Sequence, residues 1–219
     1  FHNSTSLKFS EDWFQKNKKR RENWVKERFK ILKDETEKSE FSGKIHPLQL
    51  ALDVQEAIRA NSYHAPRSRL VVVELTSNRG GGAIWPLPTL QGVATVAREH
   101  GLNLHMDGAR LMNAVVASDI SAADFAETVD SLWLDLSKGL GCPVGAVLAG
   151  THEFIDEAWR WKHRIGGAMR QAGIIAAAGS WALANHVERL AEDHNNAQQF
   201  GKRISEIPGV RLVNDDVQT

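Results

Sequence analysis

The sequence predicts an α/β fold with a mostly parallel sheet and helices on both of its faces. Short apolar or β-branched runs alternate with longer amphipathic stretches along most of the chain. The run from Leu70 to Leu75 is apolar except at Glu74, which is typical of a strand buried on both faces. Glycine and proline separate many of these runs. This alternation favours parallel strands that are joined by helical crossovers.

Proline, serine and threonine mark the predicted helix starts. Pro86 and Pro88 begin a helix for which Gly101 is the stop signal. Ser121 and Thr151 are suited to cap the helices that follow them. Taken in order, the predicted helices cover 46–60, 86–100, 109–117, 122–128, 152–164 and 171–200, the last broken or bent near Gly179, and the predicted strands cover 70–75, 102–106, 131–136, 145–149 and 210–213.

The composition limits the classes of partner and compartment. The 219 residues include 27 basic and 27 acidic side chains, so the net charge gives no reason to expect nucleic acid or an anionic membrane as partner. No apolar run approaches the roughly 20 residues that cross a bilayer, and no signal-peptide pattern is present. The single cysteine, Cys142, cannot form an internal disulfide, which fits a reducing cytoplasm.

Polar side chains follow the ends of three predicted strands. Lys138 comes directly after the strand at 131–136, and Asp107 and Arg110 follow the strand at 102–106. Ser77 lies in the loop after the first strand. Ligands of open α/β sheets collect at the carboxyl ends of the strands, so we expect these four residues to share one site.

An amine and a carboxylate at two strand ends are what an enzyme of pyridoxal 5'-phosphate (PLP) needs. Lys138 would form the Schiff base, and Asp107 would keep the pyridine nitrogen protonated. Arg110 would bind a substrate carboxylate through a two-point fork. The structural alternatives are a surface lysine beside a turn, a helix N-cap at Asp107 and an exposed helix arginine. No metal ligands are assigned.

Five motifs resemble those of the low-specificity L-threonine aldolases, within the β-eliminating lyase group of PLP enzymes. The resemblance covers about 43–213, and the motifs are ELTSNRGGG at 74–82, HMDGARLMNA at 105–114, LSKGLGCPVG at 136–145, GGAMRQAG at 166–173 and LAEDHNNA at 190–197.

The resemblance implies the large domain of the aspartate-aminotransferase-like fold. It also implies cleavage of β-hydroxy-α-amino acids such as threonine and allo-threonine to glycine and an aldehyde. The resemblance implies the same roles as above: the Schiff base for Lys138, the partner of the pyridine nitrogen for Asp107 and the ligand of the substrate carboxylate for Arg110. Arg170 matches an arginine that approaches the cofactor phosphate from a neighbouring subunit, so a homo-oligomer is expected.

The chain departs from the family pattern at one site residue and at both ends. Ser77 stands where the family usually has a histidine near the substrate hydroxyl, and serine is a poor general base. His105 shares a strand face with Asp107, but a packed strand histidine is the favoured interpretation. The family's phosphate loop, stacking histidine and C-terminal domain are not found, so we expect weak PLP binding and low activity.

Three domains follow from this comparison. Residues 1–42 form a charged extension with a predicted amphipathic helix, either a binding arm or a solvated helix, and near-equal charges favour the latter. Residues 43–200 form an incomplete cofactor-binding large domain, and 201–219 begin a truncated small domain. Two alternatives to the aldolase stay open. One is a β-eliminating PLP lyase, and the other is an inactive fragment or interaction protein.

Overall fold

A computed structural model describes residues 47–212 of the chain. The charged extension at 1–42 and the end of the predicted last strand lie outside the described residues, and the domain limits stay predictions. The helices are α1 Pro47–Ala57, α2 Leu87–Glu99, α3 Leu111–Ser118, α4 Ala122–Ala126, α5 His152–Arg164, α6 Gly173–Asn185 and α7 Leu190–Ser205, and the strands are β1 Leu70–Glu74, β2 Asn103–Gly108, β3 Ser131–Asp135 and β4 Ala146–Gly150.

The four strands form one sheet in the order β1-β2-β3-β4. Strands β1, β2 and β3 are parallel, with Glu74 beside Asp107 and Asp107 beside Trp133. Strand β4 is antiparallel to β3. The link from β3 to β4 is shorter than the dozen or more residues that a parallel crossover needs, so β4 runs in the opposite direction. The predicted α/β fold with a mostly parallel sheet is confirmed.

The two faces of the sheet differ in burial. One face carries the hydrophobic core, to which α2, α3 and α4 contribute residues such as Leu90, Leu111 and Phe125. On the other face Leu70 is 55% exposed and Val72 is 56% exposed. The prediction that β1 is buried on both faces is therefore wrong, and within 47–212 the expected helices do not bury this second face. Valine stands at both the exposed position 72 and the buried position 73, so the sequence hid the alternation.

Most predicted caps and helix limits are found. Ser121 forms a capping box with Asp124, and the Thr151 hydroxyl accepts a hydrogen bond from the Phe154 amide. The predicted break near Gly179 is wrong because α6 runs through this residue. A β-carbon at Gly179 would lie 2.8 Å from the Leu136 side chain, so this glycine allows close packing.

The last helical region is instead divided after α6, where His186 leaves the helix. Its Nδ1 donates to the Leu140 carbonyl at 2.7 Å, and its ring contacts Trp181 edge-on at 4.7 Å between centroids. Residues 210–212, predicted as part of a strand, lie outside any strand. Within the described residues, no helix has the length and apolar character needed to cross a membrane.

Candidate functional site

The loops that follow β1 and β2 are joined through Leu75. The Leu75 amide donates to the Asp107 carbonyl at 2.8 Å, and the Arg110 amide donates to the Leu75 carbonyl at 3.2 Å. The Leu75 side chain is fully buried, which anchors this junction in the core. Asp107 and Arg110 are thus held beside the segment that leads to Ser77, as the positions of the strand ends predicted.

Asp107, the second-last residue of β2, carries a half-buried side chain. Its Oδ1 accepts a hydrogen bond from the Ala109 amide at 3.1 Å. The N-cap position of α3 belongs to Arg110, whose side chain makes no capping hydrogen bond. The alternative in which Asp107 is the helix N-cap is therefore wrong. Its carboxylate is held by a local turn at the edge of the sheet, where a ligand can reach it.

Lys138 lies beside the half-buried face of β3. Its Nζ lies 2.9 Å from Asp135 Oδ2 and 5.6 Å from the centroid of the Trp133 ring. The side chain of Lys138 is 38% exposed. Because Trp133 pairs in register with Asp107, the lysine amine lies over the strand position next to that acid. Lys138 follows β3 and Asp107 lies near the end of β2, so the two residues are at the carboxyl ends of neighbouring strands.

Asp135 is a site residue that the sequence analysis missed. Burial acts to raise its pKa, but hydrogen bonds from Ser137 and the contact with Lys138 outweigh burial and lower the pKa to about 2. The Ser137 amide and hydroxyl both donate to Asp135 Oδ1. The available signal was its position three residues before Lys138, at the end of an apolar strand.

Residues from α3 and α7 support the loop that carries Lys138. A β-carbon at Gly139 would lie 2.6 Å from Leu190 Cδ2 and 3.3 Å from Asn113 Oδ1, so only glycine fits here without a shift. Asn113 Nδ2 lies 3.4 Å from His194 Nε2, and both side chains are buried. Burial lowers the pKa of His194. This support lies in two of the matching motifs, but no role was assigned to it from the sequence.

Ser77 is fixed within its own loop. Its amide donates to the Ala83 carbonyl, its carbonyl accepts from the Gly82 amide, and its Oγ accepts from the Gly80 amide at 3.2 Å. The preceding residue, Thr76, is fully buried, and its hydroxyl has no hydrogen-bond partner among the described residues. The loop is therefore closed by its own backbone, with the Ser77 oxygen already accepting one hydrogen bond.

Two further predicted residues have different surroundings. Arg170 is exposed in the segment between α5 and α6. His105 Nδ1 and Ser131 Oγ are hydrogen bonded at 2.8 Å across β2 and β3. This bond supports the interpretation of His105 as a packed strand histidine.

Comparison with known proteins agrees with this arrangement. The family model described as beta-eliminating lyase matches residues 20–219. The chain belongs to the beta-eliminating lyase family. This membership confirms the resemblance drawn from the five motifs, and with it the expected cofactor, pyridoxal 5'-phosphate.

Several relatives of this beta-eliminating lyase family chain are threonine aldolases by name. The low specificity L-threonine aldolase of Escherichia coli K12 is 43% identical over 158 residues, which are 72% of this chain and 46% of that protein. A probable low-specificity L-threonine aldolase 2 of Arabidopsis thaliana is 36% identical over 76% of this chain and 47% of its own length. The chain thus spans about half the length of the curated relatives it matches.

Solved structures confirm the predicted fold class. A Listeria monocytogenes protein, provisionally described as an L-allo-threonine aldolase, is 29% identical with a TM-score of 0.64, over 74% of this chain and 44% of that one. Aspartate aminotransferase of Thermus thermophilus is 20% identical with a TM-score of 0.56, over 76% of this chain and 43% of that one. The second likeness concerns the fold alone.

The residues present fit the family cofactor. Lys138 supplies a partly exposed amine, and Asp107 supplies a carboxylate on the neighbouring strand. Arg110 adds a cation at the start of α3. These are the three chemical groups that a cofactor with an aldehyde and a basic ring nitrogen, and a carboxylate substrate, require.

Proposed function

We propose that the protein which contains this chain is a PLP-dependent lyase that cleaves β-hydroxy-α-amino acids, such as threonine and allo-threonine, to glycine and an aldehyde. One observation carries the proposal. The Lys138 amine lies over Trp133, the register neighbour of Asp107, at the carboxyl edge of the parallel strands. The relatives named as threonine aldolases support the substrate class.

Each proposed role follows from the side chain and its place. When bound, the cofactor supplies an aromatic ring that accepts the electron pair of the broken Cα–Cβ bond. Lys138 would hold the cofactor through its aldehyde, and its amine would serve proton transfer at the substrate Cα. Asp107 would pair its carboxylate with the protonated ring nitrogen.

The arginines and Ser77 bind the substrate and cofactor. Arg110, fixed through its amide to Leu75, pairs with the substrate carboxylate by a fork of two hydrogen bonds. Arg170 binds the cofactor phosphate, in a homo-oligomer from the neighbouring subunit. Ser77 donates a hydrogen bond to the substrate's β-oxygen, and the β-hydroxyl proton leaves to solvent as the Cα–Cβ bond breaks, because serine is a weak base. A cytoplasmic location and the homo-oligomer stay predictions from the sequence.

The first experiment tests cofactor capture and cleavage together. The chain is mixed with PLP, the absorption band of the covalent lysine adduct is recorded, and borohydride then fixes the bond for peptide mass spectrometry. We expect the adduct on Lys138 and glycine formation from threonine. Lys138→Ala should lose both, whereas Lys202→Ala, a substitution on α7, should lose neither. An adduct on another lysine, or cleavage by Lys138→Ala, would contradict the proposal.

β-Elimination is a second candidate because the matching family is described by that reaction. Elimination of a β-substituent from serine or cysteine gives pyruvate and ammonia, and it leaves no glycine. Product analysis with threonine, allo-threonine, serine and cysteine separates the two reactions. Glycine with acetaldehyde supports the aldolase, and pyruvate without glycine supports elimination.

A further inference from the structure

Asp135 contacts the lysine on which the proposed function depends. Its Oδ2 lies 2.9 Å from Lys138 Nζ. Its Oδ1 accepts hydrogen bonds from the Ser137 amide at 2.8 Å and the Ser137 hydroxyl at 2.7 Å. Both carboxylate oxygens therefore have donors, and the Ser137 bonds fix the acid at the end of β3 independently of the lysine.

Trp133 provides the second contact of the amine. Its ring centroid is 5.6 Å from Nζ, within the range in which an aromatic face attracts a cation. Trp133 and Asp135 are two positions apart on β3, so their side chains project from the same face of the sheet. The carboxylate and the ring both attract a positive charge to one place beside Asp107.

We infer that Asp135 is a positioning residue that holds the Lys138 ammonium over Trp133 whenever the lysine is not bonded to the cofactor. This inference rests on the proposed function. To bond, the ammonium gives one proton to solvent, its nitrogen forms a C=N bond with the cofactor aldehyde, and the aldehyde oxygen leaves as water. When a substrate amine takes over that carbon, its two hydrogens pass to the lysine nitrogen, which leaves as an amine, gains one proton from solvent and returns to Asp135.

The ion pair has opposite effects on two equilibria, because it stabilises only the unbonded lysine. It opposes cofactor capture and favours displacement of the lysine by an amino acid. The hydrogen bonds from Ser137 keep the pKa of Asp135 at about 2, so the carboxylate remains charged under assay conditions. A partly exposed ion pair has a modest energy, so we expect each equilibrium to change about two- to fivefold when it is lost.

The first test needs no cofactor. The full chain is treated with a limiting amount of an acetylating N-hydroxysuccinimide ester, and mass spectrometry measures the acetylation rate of Lys138 relative to exposed Lys202. Asp135→Asn keeps an acceptor for Ser137 and should raise this ratio about two- to fivefold. Asp135→Glu should restore a ratio near that of the wild type. An unchanged ratio in Asp135→Asn would overturn the inference.

Two further variants control for folding and for general charge effects. Glu157→Gln removes the partner of Arg160 at 3.6 Å, an exposed pair with the same spacing of three residues, and should leave the ratio unchanged. Ser137→Ala keeps the charge of Asp135 but removes one of its hydrogen bonds, so it should raise the ratio less. If Asp135→Asn loses its helical circular dichroism, Ser137→Ala becomes the deciding variant. An unchanged acetylation ratio in Ser137→Ala would then overturn the inference.

The second test uses PLP and separates this inference from the proposed function. Asp135→Asn should capture PLP about two- to fivefold more tightly and require about two- to fivefold more glycine for the half-maximal spectral change. If the wild type captures no PLP but the acetylation contrast appears, the proposed function fails and the ion pair stands. If PLP is captured but Lys138 is acetylated at the same rate in Asp135→Asn and in the wild type, the inference fails and the proposed function stands.

Discussion

Asp107 and Gly108 show how single residues set the geometry at the end of β2. Asp107 supplies the carboxylate, and Gly108 allows β3 to approach closely. A β-carbon at Gly108 would lie 2.5 Å from the Trp133 carbonyl oxygen, which belongs to the backbone of the neighbouring strand. The register that places Asp107 beside Trp133 therefore depends on the absence of a side chain one residue later.

Asp107→Asn tests the charge separately from the shape. The amide retains an oxygen for the Ala109 hydrogen bond, so the turn should persist. Because the neutral amide no longer stabilises a protonated ring, we expect the glycine-forming rate to fall by about a hundredfold or more, with the Lys138 adduct still formed. Glycine release and the adduct spectrum are the measurements. Asp156→Asn, on the exposed part of α5, should leave both unchanged.

Gly108→Ala tests the close approach of β2 and β3. The new methyl group must displace backbone, so we expect a loss of about 1–3 kcal/mol in the free energy of unfolding, measured by urea denaturation. Gly173→Ala is the matched control because, apart from its chain neighbours and the backbone of its own helix, nothing lies within 4 Å of its added β-carbon, and alanine favours helices. Equal stability of the two variants would contradict this account of Gly108.

At the scale of elements, α3 and α7 meet beneath the Lys138 loop. The Asn113 amide donates to His194 Nε2, which requires the unprotonated ring nitrogen. Burial lowers the pKa of His194 in agreement with that hydrogen bond. The stability that this histidine contributes is present above its unfolded pKa, about 6.5, and is lost as the pH falls through the lower folded value.

His194→Gln tests this linkage. Glutamine offers an acceptor to Asn113 but does not titrate, so the variant should lose less stability than the wild type between pH 7.5 and pH 5.5. The urea midpoint at the two pH values is the measurement. His163→Gln, at an exposed position of α5, should follow the wild type. If the urea midpoint of His194→Gln falls between pH 7.5 and pH 5.5 as much as that of the wild type, His194 is not the group that makes the fold acid-sensitive.

The limits of prediction from sequence are clearest among these elements. The capping residues Ser121 and Thr151 act locally, so their helix starts were predictable. Gly179 was expected to bend a helix, but its role depends on Leu136, which is distant in sequence. The strand-end rule placed Lys138 and Asp107 on one edge, whereas the side-chain contacts of Asp135, Asn113 and His194 require the packed fold.

For the whole molecule, cofactor binding should stabilise the folded state. The described residues include the lysine, the acid and the cation, and the chain spans about half of its relatives' length. A ligand at a hundred times its Kd adds about 2.7 kcal/mol to the free energy of unfolding. For a protein of this size, that energy raises Tm by roughly 5–11 °C.

A thermal scan with PLP tests this expectation. The wild type should show the rise in Tm, and Lys138→Ala should show a smaller one because only non-covalent contacts remain. Pyridoxine 5'-phosphate, which has no aldehyde, serves as the matched ligand control and should behave alike with both chains. An equal shift by PLP in the wild type and Lys138→Ala would show that the lysine adds nothing to binding.

The reversal at β4 determines how the chain returns toward Lys138. Five strand residues extend about 17 Å away from the carboxyl edge of β3, and the thirteen residues of α5 extend about 20 Å. A β-carbon at Gly145, just before β4, would lie 3.9 Å from Ile175 in α6. The start of α6 therefore lies beside the start of β4, at the carboxyl edge of β3. Arg170 lies five residues before Ile175. Insertions or deletions in α5 would therefore move Arg170 relative to Lys138 without changing either residue.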